Sequence, residues 1–473
     1  MNLNTLQTIP LNPKILLEMI QDLERNAELH CISILYDGEI VVEGAWNPFL
    51  LSEPQMMHSL SKTGVSICAG FAISEGKFRL TDRLCDLIPE DLPETYDPCL
   101  EKITVYDLLT MQAGSTKCCN NRWFTKLEDS WTTHWLEEPR IVSDIGNVFH
   151  YDSGCSYTLS RIITKFMEKT CEELLNERIF SPMGFPWIHW LKSPDGFSTG
   201  GWGLYLTSSQ IAHLGWVLLQ KGHFGSRQLI PENWVEEMTK PRTPIPGTNA
   251  RPLTHYGYQL KSGKDLFSAE GAFGQFMLCF RNLPLVIGIT SGTPFGKIAD
   301  LCHTWILKAA RTPFLLDNAA LAKSWEQLQE YLDSRSLPCA SGDAAILPPL
   351  LENRWITLGQ NARKIRRVLF LQKGSALQIT FDLDGICYTG LAGYQTWMEN
   401  DLFPGDFTRV RHSLSWTSSK DTLFLSDCIL NTSYREDYTL RLSQENPAGP
   451  LIACTWTPNV TYLNDPRNFL GTF

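Results

Sequence analysis

The chain has 473 residues, 43% of them hydrophobic and only 19% charged, with a formal net charge of −10. That length predicts two or three domains with substantial cores, and the composition excludes a disordered chain. An acidic balance with scattered Lys and Arg lacks the basic stripe of a nucleic-acid binder, so no nucleic-acid partner is expected.

The leader up to Asn26 has no basic stretch followed by an apolar run and a cleavage site, so it is not read as a secretion signal. No apolar run approaches the roughly 20 residues of a membrane span. Fourteen cysteines follow no disulfide framework, Cys118-Cys119 being the single close pair, and they read as reduced, mostly buried thiols. The expectation is a cytoplasmic enzyme with no membrane attachment.

In chain order, Pro13 to Arg25 repeats Ile15, Leu16, Ile20 and Leu23 at helical spacing. The runs Cys31–Tyr36 and Glu39–Glu43 flank Asp37-Gly38 and predict a hairpin. Val105–Met111 follows Thr104, with Asp107 three residues on and Gly114 beyond, which supplies start and stop signals for a helix. Thr207-Ser208-Ser209-Gln210 opens a helix over Ile211 to Lys221, closed by Gly222. A second strand pair, Phe276–Phe280 and Leu285–Thr290, precedes the apolar helix Ile298–Ala310. Strands at both ends with helices between them predict an α/β (α+β) layered domain over 1–312, its mixed, largely antiparallel sheet closed by distant segments. A connecting helix (Asn318–Ser336) and a linker rich in Pro, Ala, Ser and Gly occupy 313–349. From 350 to 473 the runs are short and β-like, with Asp384-Gly385 marking a hairpin turn, which predicts an antiparallel all-β sandwich or barrel. Its tryptophans, Trp355, Trp397, Trp416 and Trp456, read as core anchors, or as a binding face or a cover over the site.

Three elements carry candidate chemistry. In His58-Ser59-Leu60-Ser61-Lys62 the serine and lysine stand three residues apart, at the start of the small, apolar run Thr63–Glu75. Residues so spaced share a helix face, and burial favours the neutral amine that takes a hydroxyl proton. A buried lysine needs a reason; the plain alternative is an ion pair with a carboxylate such as Asp152. Ser74-Glu75-Gly76-Lys77 repeats the spacing, but Gly76 is expected to end the helix and take its lysine off the serine's face. The second element, Phe149-His150-Tyr151-Asp152-Ser153-Gly154, places a phenol and a hydroxyl on one short loop; Tyr151 is otherwise a core tyrosine. In the third, Phe267 to Gln275, Gly271 and Gly274 precede a strand and admit a close backbone approach, or simply make a turn.

With these three elements in order, the chain resembles the serine β-lactamase, penicillin-binding-protein, D,D-peptidase and esterase superfamily, especially its class C-like branch, over roughly residues 10–310. The text between them resembles it too: Ala72 to Lys77 with Leu80-Thr81-Asp82, Ile103 to Met111, and Gly201 to Ser208. The resemblance implies Ser59 as acylated nucleophile, Lys62 as its base, Tyr151 as proton shuttle and Ser153 as a companion in the site. It implies an oxyanion hole from the backbone N–H groups of Ser59 and Ala272, with Gly271 beside it; one such donor is typically worth about 10²–10³ in rate. Trp202 and Phe273 either wall the pocket or pack in the core. Where many relatives open the third element with Lys or His, this chain has Ala269, which removes a partner for a penicillin-like carboxylate. No separate deacylating glutamate of the class A type is evident. The resemblance therefore implies a serine hydrolase acting through an acyl-enzyme on a small ester, amide or short-peptide substrate, with β-lactam hydrolysis weak. The rival is a catalytically silent relative that binds a peptide or acyl ligand. No cofactor or metal is expected, since neither a zinc-type motif nor a phosphate-binding loop is present.

Overall fold

A computed structural model describes residues 10–116, 130–249, 251–294, 297–312, 318–361, 363–383, 385–403, 410–443, 451–461 and 468–472. The Cys118-Cys119 pair and Asp384 of the expected hairpin turn lie outside the described residues.

The first domain is built on eight strands: β1 (Leu29–Tyr36), β2 (Glu39–Ala45), β3 (Thr243–Pro244), β4 (His255–Tyr256), β5 (Lys261–Ser262), β6 (Leu266–Gly271), β7 (Gln275–Phe280) and β8 (Leu285–Ser291). Their order is β2-β1-β8-β7-β6-β5-β4-β3. Every pairing is antiparallel, so the sheet is not mixed. Distant segments do close it: Ile32 of β1 lies opposite Ile289 of β8. Direction is left free by the long helical excursion between β2 and β3, and hairpins then return the chain across the sheet.

Both faces of the sheet are covered, so β7 and β8 are buried along their whole length. Helices α1 (Pro13–Asn26), α5 (Ile298–Arg311) and α6 (Asn318–Asp333) lie on one face, where Ile15, Leu16, Ile20 and Leu23 meet Leu278, Ile287 and Ile306. The other face packs against α4 (Ser208–Leu219) and α2 (Ser61–Ser74), and α3 (Ser153–Met167) packs on α2. Helix α2 is buried from Ser61 through Ala72, so it has no polar face to show solvent. Among the described residues no helix is long and apolar enough to cross a membrane.

The C-terminal part is all β, and its closure makes it a barrel. Strands β9 (Trp355–Leu358), β10 (Arg367–Lys373), β11 (Ala376–Leu383), β12 (Ile386–Tyr394), β13 (Val410–Ser419), β14 (Thr422–Ile429), β15 (Arg435–Ser443), β16 (Leu451–Pro458) and β17 (Asn468–Thr472) form the ring. Parallel pairing of β12 with β13, Ala392 opposite Leu414, completes it, and Met398–Phe403 adds a strand on β13 outside the ring. Closure removes the free edges an open sheet would expose. Trp416 fills the core; Trp355 lies under the Arg367 guanidinium; Trp397 donates to the Leu337 carbonyl at 3.1 Å.

The β14–β15 turn seats the barrel on the first domain. The Met56 amide donates to the Asn431 carbonyl (2.9 Å), and Gln275 Nε2 to Ser433 Oγ (2.8 Å). Asn459 Nδ2 donates to the Gly292 carbonyl (3.0 Å), and Arg435 pairs with Glu28 (2.8 Å).

Candidate active site

Ser59 does not open the α-helix itself. It sits in a 3₁₀ turn, His58–Leu60, that feeds into α2. His58 has φ 46°, a left-handed conformation that is costly for a non-glycine residue and persists only when its surroundings enforce it. Here the enforcement is visible: the Met57 amide donates to the Leu204 carbonyl (2.7 Å), and the buried His58 ring stands edge-on to Phe273 with centroids 5.2 Å apart.

Lys62 is 1% exposed. Its Nζ donates to Ser59 Oγ at 3.0 Å and to the Gly201 carbonyl at 2.8 Å, and lies 4.9 Å from the centre of the Tyr151 ring. The Gly201 carbonyl thus holds the amine beside the serine. Asp152 is engaged elsewhere: it accepts from Trp135 Nε1 and from the Gly154 amide, both at 2.8 Å. Asp152 instead caps α3, and with the His150 amide bound to the Met111 carbonyl (2.8 Å) it fixes the loop that carries Tyr151. Ser153 is buried at the first position of α3, packed so closely on Gly201 that a Cβ there would lie 2.8 Å from the Ser153 Cβ.

Gly271 ends β6 where that strand passes the nucleophile turn. A Cβ on it would come within 2.1 Å of the Met57 carbonyl, so only glycine allows the approach. That approach brings Ser59, Tyr151, Gly271 and Ala272 to one open cleft of about 360 Å3. Phe273 and Trp202 go elsewhere. Phe273, at φ 64°, is buried between His58 and Tyr434. Trp202 is stacked on Trp131 (5.8 Å) in a cluster with Tyr157, away from the cleft walls.

Several cleft residues had no sequence signal. Phe149 and Tyr256, with ring centroids 5.2 Å apart, form an aromatic wall beside Tyr151. Lys261 from β5 pairs with Glu270 of β6 at 2.5 Å, and Arg251 pairs with Asp300 at 2.9 Å. Ala269 is buried in the core, so the strand presents Glu270 to the cleft instead. Alternation along β6 was the available clue for Glu270; its Lys261 partner depends on the β5–β6 register, which local pattern does not reveal. No group of metal-ligating side chains is found among the described residues.

The beta-lactamase family profile matches residues 31–311. No match is found among curated proteins. Solved structures with a similar fold include a Bacillus anthracis protein provisionally assigned as a 6-aminohexanoate-dimer hydrolase, at 20% identity and TM-score 0.51, covering 62% of this chain and 81% of its own. A family VIII carboxylesterase gives 16% identity and TM-score 0.50, covering 63% of this chain and 97% of its own. The hydrolase EstCE1, described with promiscuous acyltransferase activity, gives 13% identity and TM-score 0.50, covering 62% and 97%.

Proposed function

This chain belongs to the beta-lactamase family and is a serine hydrolase of that type, and on that premise we propose that it cleaves small uncharged esters or amides through an acyl-Ser59 intermediate. The observation that carries the reading is the buried Lys62 amine, held by the Gly201 carbonyl 3.0 Å from Ser59 Oγ.

In this reading Ser59 Oγ attacks the acyl carbonyl carbon and its proton passes to the Lys62 amine. The Ser59 and Ala272 N–H groups face the oxygen that takes up negative charge. Tyr151, with Lys62, returns the proton to the departing alkoxide or amine. Water then attacks the acyl-serine carbonyl, gives a proton to the same pair, and releases the acid and free Ser59. Ser153 borders this machinery, and Phe149 and Tyr256 offer an apolar wall for the acyl or leaving group.

The charge balance of the cleft supports an uncharged substrate. Among the described residues its lining cations are Lys261 and Arg251, each tied to a carboxylate, and Ala269 offers none. A penicillin-type carboxylate would have to break one of these pairs. The free thiols of the described cysteines support a reducing, cytoplasmic setting.

Intact-protein mass after treatment with a fluorophosphonate, and separately with a penicillin, tests the reading. One fluorophosphonate adduct that vanishes in Ser59→Ala, with little or no penicillin adduct, is the expected result. No adduct from either probe would favour the silent ligand-binding relative.

A further inference from the structure

The barrel holds a second cavity, separate from the Ser59 cleft, of about 80 Å3. Inward positions alternate along each strand, and those deeper in the barrel are apolar: Phe370, Ile379, Leu414, Leu425 and Leu440. A closed ring of eight or nine strands is wide enough for one small ligand when its side chains do not fill it.

The lining changes character at one end. His412, Asp427, Glu436, Tyr438 and Trp456 lie toward one end of the barrel, where the β14–β15 turn meets the first domain. The charged groups there are matched against one another. Arg363 forms an ion pair with Glu436, the Tyr438 hydroxyl donates to Glu436 Oε2 at 2.5 Å, and His412 Nδ1 lies 2.8 Å from Asp427. Trp456 differs. It is 3% exposed, lines the cavity, and its Nε1–H has no acceptor among the described residues. Buried indole N–H groups normally find a partner.

We propose that the barrel cavity binds an uncharged aliphatic acyl compound, an amide or ester, with its chain among the apolar residues and its carbonyl oxygen accepting from Trp456 Nε1. The unfilled apolar space selects the chain, and the indole donor selects an acceptor. The head is uncharged because Arg363 is already neutralised by Glu436, while Asp427 adds a carboxylate that would repel an anionic head. A quaternary cation would leave the indole donor unmet. This inference stands apart from the chemistry assigned to Ser59.

Calorimetric titration of the full chain with octanamide, octanoate and octyltrimethylammonium at neutral pH tests it. Octanamide is expected to bind saturably and at least tenfold more tightly than either charged analogue. Trp456→Phe should weaken octanamide about fivefold, and Leu440→Trp, which fills the cavity, at least tenfold, with the melting transition retained in both. If Leu440→Trp does not fold, the Trp456→Phe shift decides. Absence of saturable binding, tighter binding of octanoate, or octanamide binding unchanged by Trp456→Phe would each overturn the proposal.

Discussion

Helix α2 has a Ser-x-x-Lys spacing at each end, Ser59–Lys62 and Ser74–Lys77, and the two meet opposite environments. At the first end the lysine is buried, with its amine shared between Ser59 Oγ and the Gly201 carbonyl. At the second, Ser74 and Lys77 are both exposed, and Gly76 at φ 70° has already turned the chain out of the helix. A cap of this kind needs a residue that tolerates the left-handed region, and it rotates whatever follows away from the preceding face. Spacing alone is therefore no site. What separates the two ends is what surrounds them: the first is enclosed by the Gly201 segment, the Tyr151 loop, β6 and the β14–β15 turn, and the second by water.

The sharpest way to break this comparison is to truncate each lysine. Lys62→Ala should slow fluorophosphonate labelling and ester turnover by about 10³-fold or more, because the proton of Ser59 then has no acceptor at hand. Lys77→Ala should leave both rates within about twofold. Equal losses in the two variants would show that the environment does not distinguish them. The measurement is a labelling time course on both variants beside the unaltered chain.

A smaller effect is expected where the barrel is fastened behind the first end. Burial alone would raise the Glu28 carboxyl, but His30, 3.6 Å away, and the Arg435 guanidinium outweigh it and hold the group below its ordinary value near 4.5. A depressed carboxyl contributes stability that is present above that ordinary value and is lost as pH falls through the folded one. Glu28→Gln should therefore cost about 2–3 kcal/mol at pH 7, with Arg435 left to Asp437 alone in a largely buried setting. The gap to the unaltered chain should narrow steadily below about pH 4.5. Denaturant midpoints at pH 7 and in acid check both statements, and a gap that widened in acid would refute the sign.

Much of this was legible in the residues. The strands on either side of Asp37-Gly38, the capping boxes at Thr104 and Thr207, and the apolar run after Ser59 all act locally, within one turn or one hairpin. Element ends were less legible. The Thr207 helix starts at Ser208 rather than Ile211, and the helix after Thr104 ends on Met111 in a left-handed conformation, before Gly114 is reached. The remainder was decided by contacts between distant segments. The Lys261–Glu270 pair depends on one strand register, the barrel on a parallel pairing of β12 with β13, and the seat of Ser433 on the meeting of two domains. None of these leaves a periodic trace. Trp202, for its part, carried no signal to choose between cleft wall and core; stacking on Trp131 decided for the core.

The smallest effect is expected at Ser433, and it bears most directly on why the two ends of α2 differ. Its Oγ accepts from Gln275 Nε2 at 2.8 Å and lies 3.4 Å from His58 Nε2, so a barrel residue touches the left-handed residue immediately before Ser59. Gln275 Nε2 also donates to the Ser291 carbonyl at 2.8 Å, which ties the same network to β8. Ser433→Ala removes the link and leaves the fold to its many other contacts. A net hydrogen bond of about 1 kcal/mol corresponds to roughly a fivefold change in rate if the whole of it serves to hold the turn. The expected result is a few-fold fall in kcat for a small ester, with KM nearly unchanged and no change in Lys77→Ala behaviour. Ser433→Thr, which keeps the hydroxyl, should recover most of the loss. A KM effect without a kcat effect would instead place Ser433 on the substrate path, and no effect at all would mean that the first domain holds the Ser59 turn unaided.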